Sequence, residues 1–187
     1  MKTVMKTVTL LLLILLSGYA PYAQQRNDFN LSLSGTSTMH DWEMKSSKMA
    51  CNATFTFYDD GDLGGLTQLN FVMPVESLKG DRTGMDANAY RTLNTSKYPT
   101  ITFNLTSATV SPDGKVIRCN GKLTVAGVTR DIDLVANAKV NSDKSLNIKG
   151  SKAINMTDFE IEPPTFLMGA FKTGEEVKIS FDLTFRH

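Results

Sequence analysis

Val177-Lys178-Ile179-Ser180-Phe181-Asp182-Leu183-Thr184-Phe185 alternates apolar and polar residues without a break. A period of two places every apolar side chain on one face of an extended chain, which is the pattern of a half-buried strand and not of a helix. The same period recurs upstream. Met49, Cys51, Ala53, Phe55 and Phe57 share one face, with Lys48, Asn52, Thr54 and Thr56 on the other. Leu69/Phe71/Met73/Val75, Ile101/Phe103/Leu105, Ile117/Cys119/Leu123/Val125 and Ile132/Leu134/Ala136/Ala138/Val140 follow. With Phe29/Leu31/Leu33 and Leu146/Ile148 the count comes to about eight strands.

Turn-forming residues fall between these runs at Asp59-Asp60-Gly61, Pro112-Asp113-Gly114, Ala126-Gly127 and Asn141-Ser142-Asp143. Connectors this short join antiparallel neighbours, because a parallel crossover takes about a dozen residues or more. An antiparallel barrel or sandwich follows. Two stretches break the rhythm. Met85 to Leu93 sets Met85, Ala89 and Leu93 four apart, which predicts a short helix with one apolar stripe. Pro163 to Phe171 is apolar without either period, and its two prolines exclude a ladder or a helix interior, so it is expected to cover an open end, as a plug or a movable flap. No repeat, low-complexity tract or linker divides the chain.

The start has a different character. Lys2 and Lys6 precede an apolar run from Val8 to Leu16 that is too short to span a bilayer, and Ala23 offers a cleavage point, so residues 1–23 are expected to be a secretory signal peptide. The expected mature domain, 24–187, is then periplasmic or secreted. The whole chain has 187 residues, with 20 Lys+Arg against 19 Asp+Glu, a net charge of +1. That balance leaves no electrostatic footprint for nucleic acid. With two cysteines and two histidines, a four-ligand zinc module is excluded by spacing, and no metal or other cofactor is expected.

Residues for catalysis are scarce. His40 is the one non-terminal histidine, no G-x-S-x-G or S-x-x-K string occurs, and His40-Asp41-Trp42 beside Ser37 reads better as a hairpin cluster whose Trp packs and whose polar atoms bond the backbone. Gly61-Asp62-Leu63-Gly64-Gly65 precedes no helix and is a turn, not a phosphate cradle. Asp81-Arg82 reads as a salt-bridged turn. The chain is not expected to be an enzyme.

Asp81-Arg82-Thr83-Gly84, then Leu93-Asn94-Thr95-Ser96-Lys97-Tyr98-Pro99-Thr100-Ile101-Thr102-Phe103, then Gly121-Lys122-Leu123-Thr124-Val125-Ala126-Gly127-Val128-Thr129-Arg130, together resemble the YceI-like family of bacterial periplasmic proteins. Asn155-Met156-Thr157-Asp158-Phe159-Glu160-Ile161 before Val177-Lys178-Ile179-Ser180-Phe181 matches that family's last third, although Glu160 stands where the family often has glycine. The likeness runs from about Leu66 to Phe185. It implies an eight-stranded antiparallel, lipocalin-like β-barrel, with one or two short helices, that binds a polyisoprenoid or similar lipid chain inside.

The inward faces carry almost no charge, so a cavity behind them would take an apolar ligand; the resemblance implies a polyisoprenoid or an isoprenoid quinone, with transient membrane contact. The candidate wall comprises Phe55, Phe57, Leu69, Phe71 and Met73 from the first half of the chain. Ile101, Phe103, Leu105, Leu123, Val125, Ile132 and Leu134 continue it. Phe166 and Met168 from the proline-led stretch, with Ile179, Phe181 and Leu183, complete it. An eight-stranded barrel can also be filled by its own side chains, which would make the domain a protein-interaction module. Cys51 and Cys119 fall on strands across the barrel, too far apart for a disulfide, and are expected to be reduced buried thiols.

Overall fold

The structure is a computed structural model that describes residues 27–81, 83–166 and 168–186, without the side chains of Thr83 and Phe166. The expected signal peptide, Arg82 of the expected salt-bridged turn and Leu167 lie outside the described residues.

Among the described residues ten strands follow one another: β1 (Asp28–Ser37), β2 (Trp42–Ser46), β3 (Ala50–Phe57), β4 (Leu63–Pro74), β5 (Thr100–Val110), β6 (Val116–Val125), β7 (Val128–Val140), β8 (Leu146–Asn155), β9 (Thr165–Phe166) and β10 (Phe171–Phe185). One helix, α1 (Thr83–Thr92), and two 3-10 turns at Val75–Ser77 and Met156–Phe159 interrupt them. The sheet runs in the order β2-β1-β10-β8-β7-β6-β5-β4-β3, with β9 paired to β10. Every ladder in it is antiparallel.

The expected eight strands become ten for a definite reason. β2 and β3 are consecutive in sequence yet sit at opposite ends of the sheet order, so residues 42–57 form one bent run that pairs with β1 at its start and with β4 at its finish. Counted as one, and with the two-residue β9 set aside, they leave eight staves. The bend curls the sheet on itself as a barrel. Its seam is closed by Lys45 and Lys79, each of which donates its N–H to the other's carbonyl oxygen at 2.8 Å, and by the Ser46 and Ser77 hydroxyls, 2.7 Å apart. Register slips at Gly35/Ser37, Thr54/Phe55, Thr56/Phe57 and Leu105/Ser107 are bulges that add the curvature closure needs.

The two ends of the barrel are built differently. At one end, β3–β4, β5–β6 and β7–β8 are joined by five-residue turns at 58–62, 111–115 and 141–145. In each an aspartate closes the bend: Asp60 Oδ1 accepts from Asp62 N–H at 3.0 Å, Asp113 Oδ1 from Ser111 Oγ at 2.6 Å, and Asp143 Oδ1 from Ser145 N–H at 3.0 Å. Below the sheet, the Phe185 ring centroid lies 5.0 Å from those of both Phe29 and Phe55, and Leu63, Ile117 and Leu146 are almost wholly buried around them. This end is a packed floor.

The other end carries the long connections, residues 75–99 with α1 and residues 156–170, beside the β1–β2 turn and the tight Ala126–Gly127 turn. Both residues of that last turn have positive φ, 49° and 83°, the geometry of the two-residue hairpin turn that matches strand twist. Glu160 also has positive φ, 58°, at the end of the second 3-10 turn. That conformation is why a glycine suits this place; a glutamate here stores strain on the order of 1 kcal/mol.

Candidate functional site

Between floor and open end lies a cavity of about 730 Å³. The interior is a chamber and not a filled core. Its wall is drawn from every long strand because period-two alternation sends the apolar face of each stave inward. Of the residues expected there, Leu69, Phe71, Met73, Ile101, Phe103, Leu123, Val125, Ile132, Leu134, Ile179, Phe181 and Leu183 line it. The stripe Met85, Ala89, Leu93 on α1 does too, as a cap over the open end.

Four expected wall residues lie elsewhere. Phe55 stands behind Phe185, edge-on to it, and supports the floor instead of facing the chamber. Phe57 ends β3 beyond two register slips and is 38% exposed, because the alternation that would have turned it inward is broken there. Leu105 packs against the core at the β5 bulge without reaching the chamber. Met168 is fully exposed at the tip of the β9–β10 hairpin, where it and Gly169 have φ of 57° and 88°. The stretch expected as a plug or flap is thus a hairpin whose base, through Pro164 and Phe171, touches the chamber while its tip faces solvent. Phe166 lies in β9 opposite Phe171, and its side chain is outside the described residues.

Among the described residues the lining holds no Asp, Glu, Lys or Arg. Its polar members, chiefly Ser37, His40, Asn88, Thr92 and Thr173, belong to the β1–β2 turn, α1 and the start of β10, all at the open end. The chamber surface is therefore almost wholly apolar, with its few polar side chains gathered at the mouth. Ser37 Oγ donates to the His40 carbonyl oxygen at 2.7 Å and accepts from the Met39 and His40 N–H groups at 3.2 Å. The hydroxyl serves the turn, as the hairpin reading expected, and makes no bond to the imidazole. Trp42 packs on the wall with Nε1 donating to the Thr36 carbonyl oxygen at 3.1 Å.

α1 is clamped over the mouth from one side. Lys79 Nζ donates to Tyr90 Oη at 2.6 Å and lies 3.3 Å from Asp86 Oδ2, while Asp86 Oδ1 accepts the Gly80 N–H at 2.8 Å. Tyr90 Oη is 2.7 Å from the Leu78 carbonyl oxygen, an acceptor for its proton. The hydrogen bond to Tyr90, with the Asp86 carboxylate behind it, holds the Lys79 ammonium above the usual lysine range.

Cys51 and Cys119 both line the chamber as free, buried thiols. They lie on β3 and β6, with β4 and β5 between them. Burial pushes the Cys51 thiol up to about 12 and raises that of Cys119. Neither is a nucleophile at neutral pH. Among the described residues no group of three or more His, Cys, Asp or Glu is placed to hold a metal ion, and no helix is long and apolar enough to cross a membrane.

The sequence reading missed three mid-strand glycines, Gly35, Gly121 and Gly150. Each lies beneath an aromatic ring of the wall. A glycine inside an otherwise alternating run was the available signal, since it marks a close approach by another group.

Residues 22–185 match the model of the YceI-like domain. Among solved structures, Burkholderia cenocepacia BcnA superposes with a TM-score of 0.70 at 16% identity, over 84% of this chain and 96% of that one. The Campylobacter jejuni YCEI protein gives 0.58 at 18% identity, over 75% and 84%. A polyisoprenoid-binding domain from Saccharophagus degradans, implicated in plant cell wall breakdown, gives 0.58 at 13% identity, over 84% and 92%. These likenesses are of fold. No curated protein matches.

Proposed function

This chain belongs to the YceI-like domain family, and on that premise we propose that it is an extracytoplasmic protein that sequesters or carries an isoprenoid-type lipid, a polyisoprenoid or an isoprenoid quinone, without chemical turnover. The observation that carries the reading is a chamber of about 730 Å³ whose described lining is uncharged and almost wholly apolar, with its few polar side chains gathered at the mouth. If a methylene takes the ~30 Å³ of a liquid water, the chamber accepts on the order of twenty carbons. Burial of such a chain at roughly 0.8 kcal/mol per CH2 supplies ample affinity before association costs are subtracted, so a head group needs few contacts. The polyisoprenoid-binding domain among the structural neighbours supports the same ligand class.

Export follows from the signal-like start of the sequence. A lipid of this length leaves a membrane reluctantly, so loading takes place with the mouth against a bilayer. Met39, 61% exposed, lines that mouth, and the fully exposed Met168 tips the hairpin whose base borders it; together they supply its apolar contact. Their two segments are tied together, with the Thr38 N–H donating to the Lys172 carbonyl oxygen at 3.0 Å.

A packed interaction module has no use for a central void of this size. Turnover of a head group at His40 would need an activated partner, and the Ser37 hydroxyl beside it is committed to the backbone. Native mass spectrometry of protein purified from its own host, followed by organic extraction, tests the proposal. A stoichiometric isoprenoid lipid is the expected result. Protein that comes out empty from its own host and takes up no isoprenoid lipid from vesicles would sink the carrier reading and favour the interaction module.

A further inference from the structure

Three glycines sit inside strands with their missing side chains directed into the barrel. Gly35 of β1 is opposite Trp42 of β2, and a Cβ placed on it would lie 2.5 Å from the indole Cζ2 and 2.8 Å from Cε2. Gly150 of β8 is opposite Phe181 of β10, and its Cβ would lie 2.5 Å from the ring Cζ and 2.8 Å from the Val135 carbonyl oxygen. Gly121 of β6 is diagonal to Phe103 of β5, and its Cβ would meet the ring Cε2 and the Asn104 carbonyl oxygen, each at 2.6 Å. Trp42, Phe103 and Phe181 all line the chamber.

Glycine weakens a strand interior, so three of them under three wall aromatics call for a common cause. A ring laid across a site without a side chain sinks into the wall and takes less of the lumen. We propose that Gly35, Gly121 and Gly150 determine specificity, by recessing the three rings so that the lumen is wide enough for a methyl-branched prenyl chain and not only for a straight acyl chain. The assignment rests on the carrier reading above. A methyl on any of the three glycines leaves its ring about 1 Å short of ordinary contact at 3.4 Å, and the ring must move toward the lumen to recover it. Gly35 gives the cleanest case. The three atoms nearest its Cβ all belong to the indole, whereas Gly121 and Gly150 also face a carbonyl oxygen. Trp42 is the one tryptophan in the chain, so its emission reports the movement directly.

The test compares geranylgeraniol with hexadecanol, which share a hydroxyl head and a main-chain length and differ in methyl branching and unsaturation, by calorimetric titration of the purified protein, with the saturated phytanol alongside to isolate the branching. Wild type is expected to prefer geranylgeraniol. Gly35→Ala and Gly150→Ala should each weaken geranylgeraniol on the order of tenfold and hexadecanol by less than about threefold, a discrimination typical of one misplaced carbon. Gly35→Ala should also shift Trp42 emission, and Phe181→Leu added to Gly150→Ala should restore geranylgeraniol binding. Trp42→Leu approaches the same question from the other side, without a new Cβ: loss of wall contact should change affinity for both alcohols while the preference for geranylgeraniol is kept or raised. Parallel loss of both alcohols in the glycine variants, no change in either, or a loss of that preference in Trp42→Leu overturns the assignment. Wild-type protein that binds neither alcohol refutes the carrier reading itself, whereas wild-type preference for geranylgeraniol with unmoved selectivity in the variants refutes only the role of the glycines.

Discussion

The floor and the mouth of this barrel are made from the same eight staves and differ in almost every other respect. The floor is joined by five-residue turns and sealed by Phe29, Phe55 and Phe185. The mouth is joined by long connections, capped by one helix and rimmed with Ser37, His40, Asn88, Thr92 and Thr173. Short turns leave no chain with which to build anything beyond a lid of side chains, whereas long connections can carry polar groups and exposed methionines. Packing is therefore concentrated at one end and the chamber opens at the other, and substitutions should sort by height along the barrel.

The largest effect is expected at the floor. Phe185→Ala removes a ring packed on two others and should cost about 3–5 kcal/mol in urea unfolding, while Phe181→Ala, whose ring already faces the chamber, should cost roughly half as much. Equal losses would mean that the chamber is not empty space. Next comes the pair of thiols halfway down. The Cys51 thiol titrates near 12 when folded against 9.0 for an unperturbed thiol, so the folded state holds its proton longer than the unfolded one. Stability should be insensitive to this group below about pH 9 and fall as pH rises from there toward 12, and iodoacetamide at neutral pH should label neither cysteine until denaturant is added. Alkylation of the folded protein at pH 7 would contradict the burial described. At the mouth, Tyr90→Phe breaks the clamp on α1 and should cost about 1 kcal/mol, with faster amide exchange confined to the helix and residues 75–80. Smallest in stability is Met39→Asp with Met168→Asp, expected within about 0.5 kcal/mol per site by thermal melt, yet slowing lipid transfer between vesicles several-fold. A melt lowered by many degrees would instead mean that the hairpin tip packs on the rim.

Much of this division can be read from residue order, and some cannot. The alternation in Val177 to Phe185 and in Ile132 to Val140 persists in β10 and β7 because local period and global burial agree there. The Met85/Ala89/Leu93 stripe likewise marks the face of α1 that meets the chamber. Phe57 defeats the same logic, because two register slips in the β3–β4 ladder are properties of the pair and leave no mark on β3 alone. His40-Asp41-Trp42 reads as a hairpin cluster, yet Trp42 to Ser46 has only Trp42 and Met44 as apolar alternates and is too short to stand out as the strand that pairs with β1. Pro163 to Phe171 looked like cover because it is apolar. Positive φ at Met168 and Gly169 makes it a hairpin instead, with Pro164 offering its carbonyl oxygen to the Thr173 N–H at 3.1 Å. The chamber itself is a sum over all staves, and no single segment announces it.

One ladder has a consequence for how the molecule comes into being. β1 and β10 lie side by side with Asp28 opposite Thr184, so the first strand of the described residues to be synthesised is completed only by their last. Until the fifteen residues of β10 arrive, β1 and β8 both present open edges that invite pairing with another chain. Contacts between the two extremes of a chain are slow to form, in the millisecond to second range for β-rich domains of high contact order. Chains truncated before Phe171 would then be expected to aggregate rather than persist as smaller barrels. In contrast, a circular permutant that links Phe185 to Asp28 and opens the Ala126–Gly127 turn would bring that ladder within a hairpin's reach and fold faster.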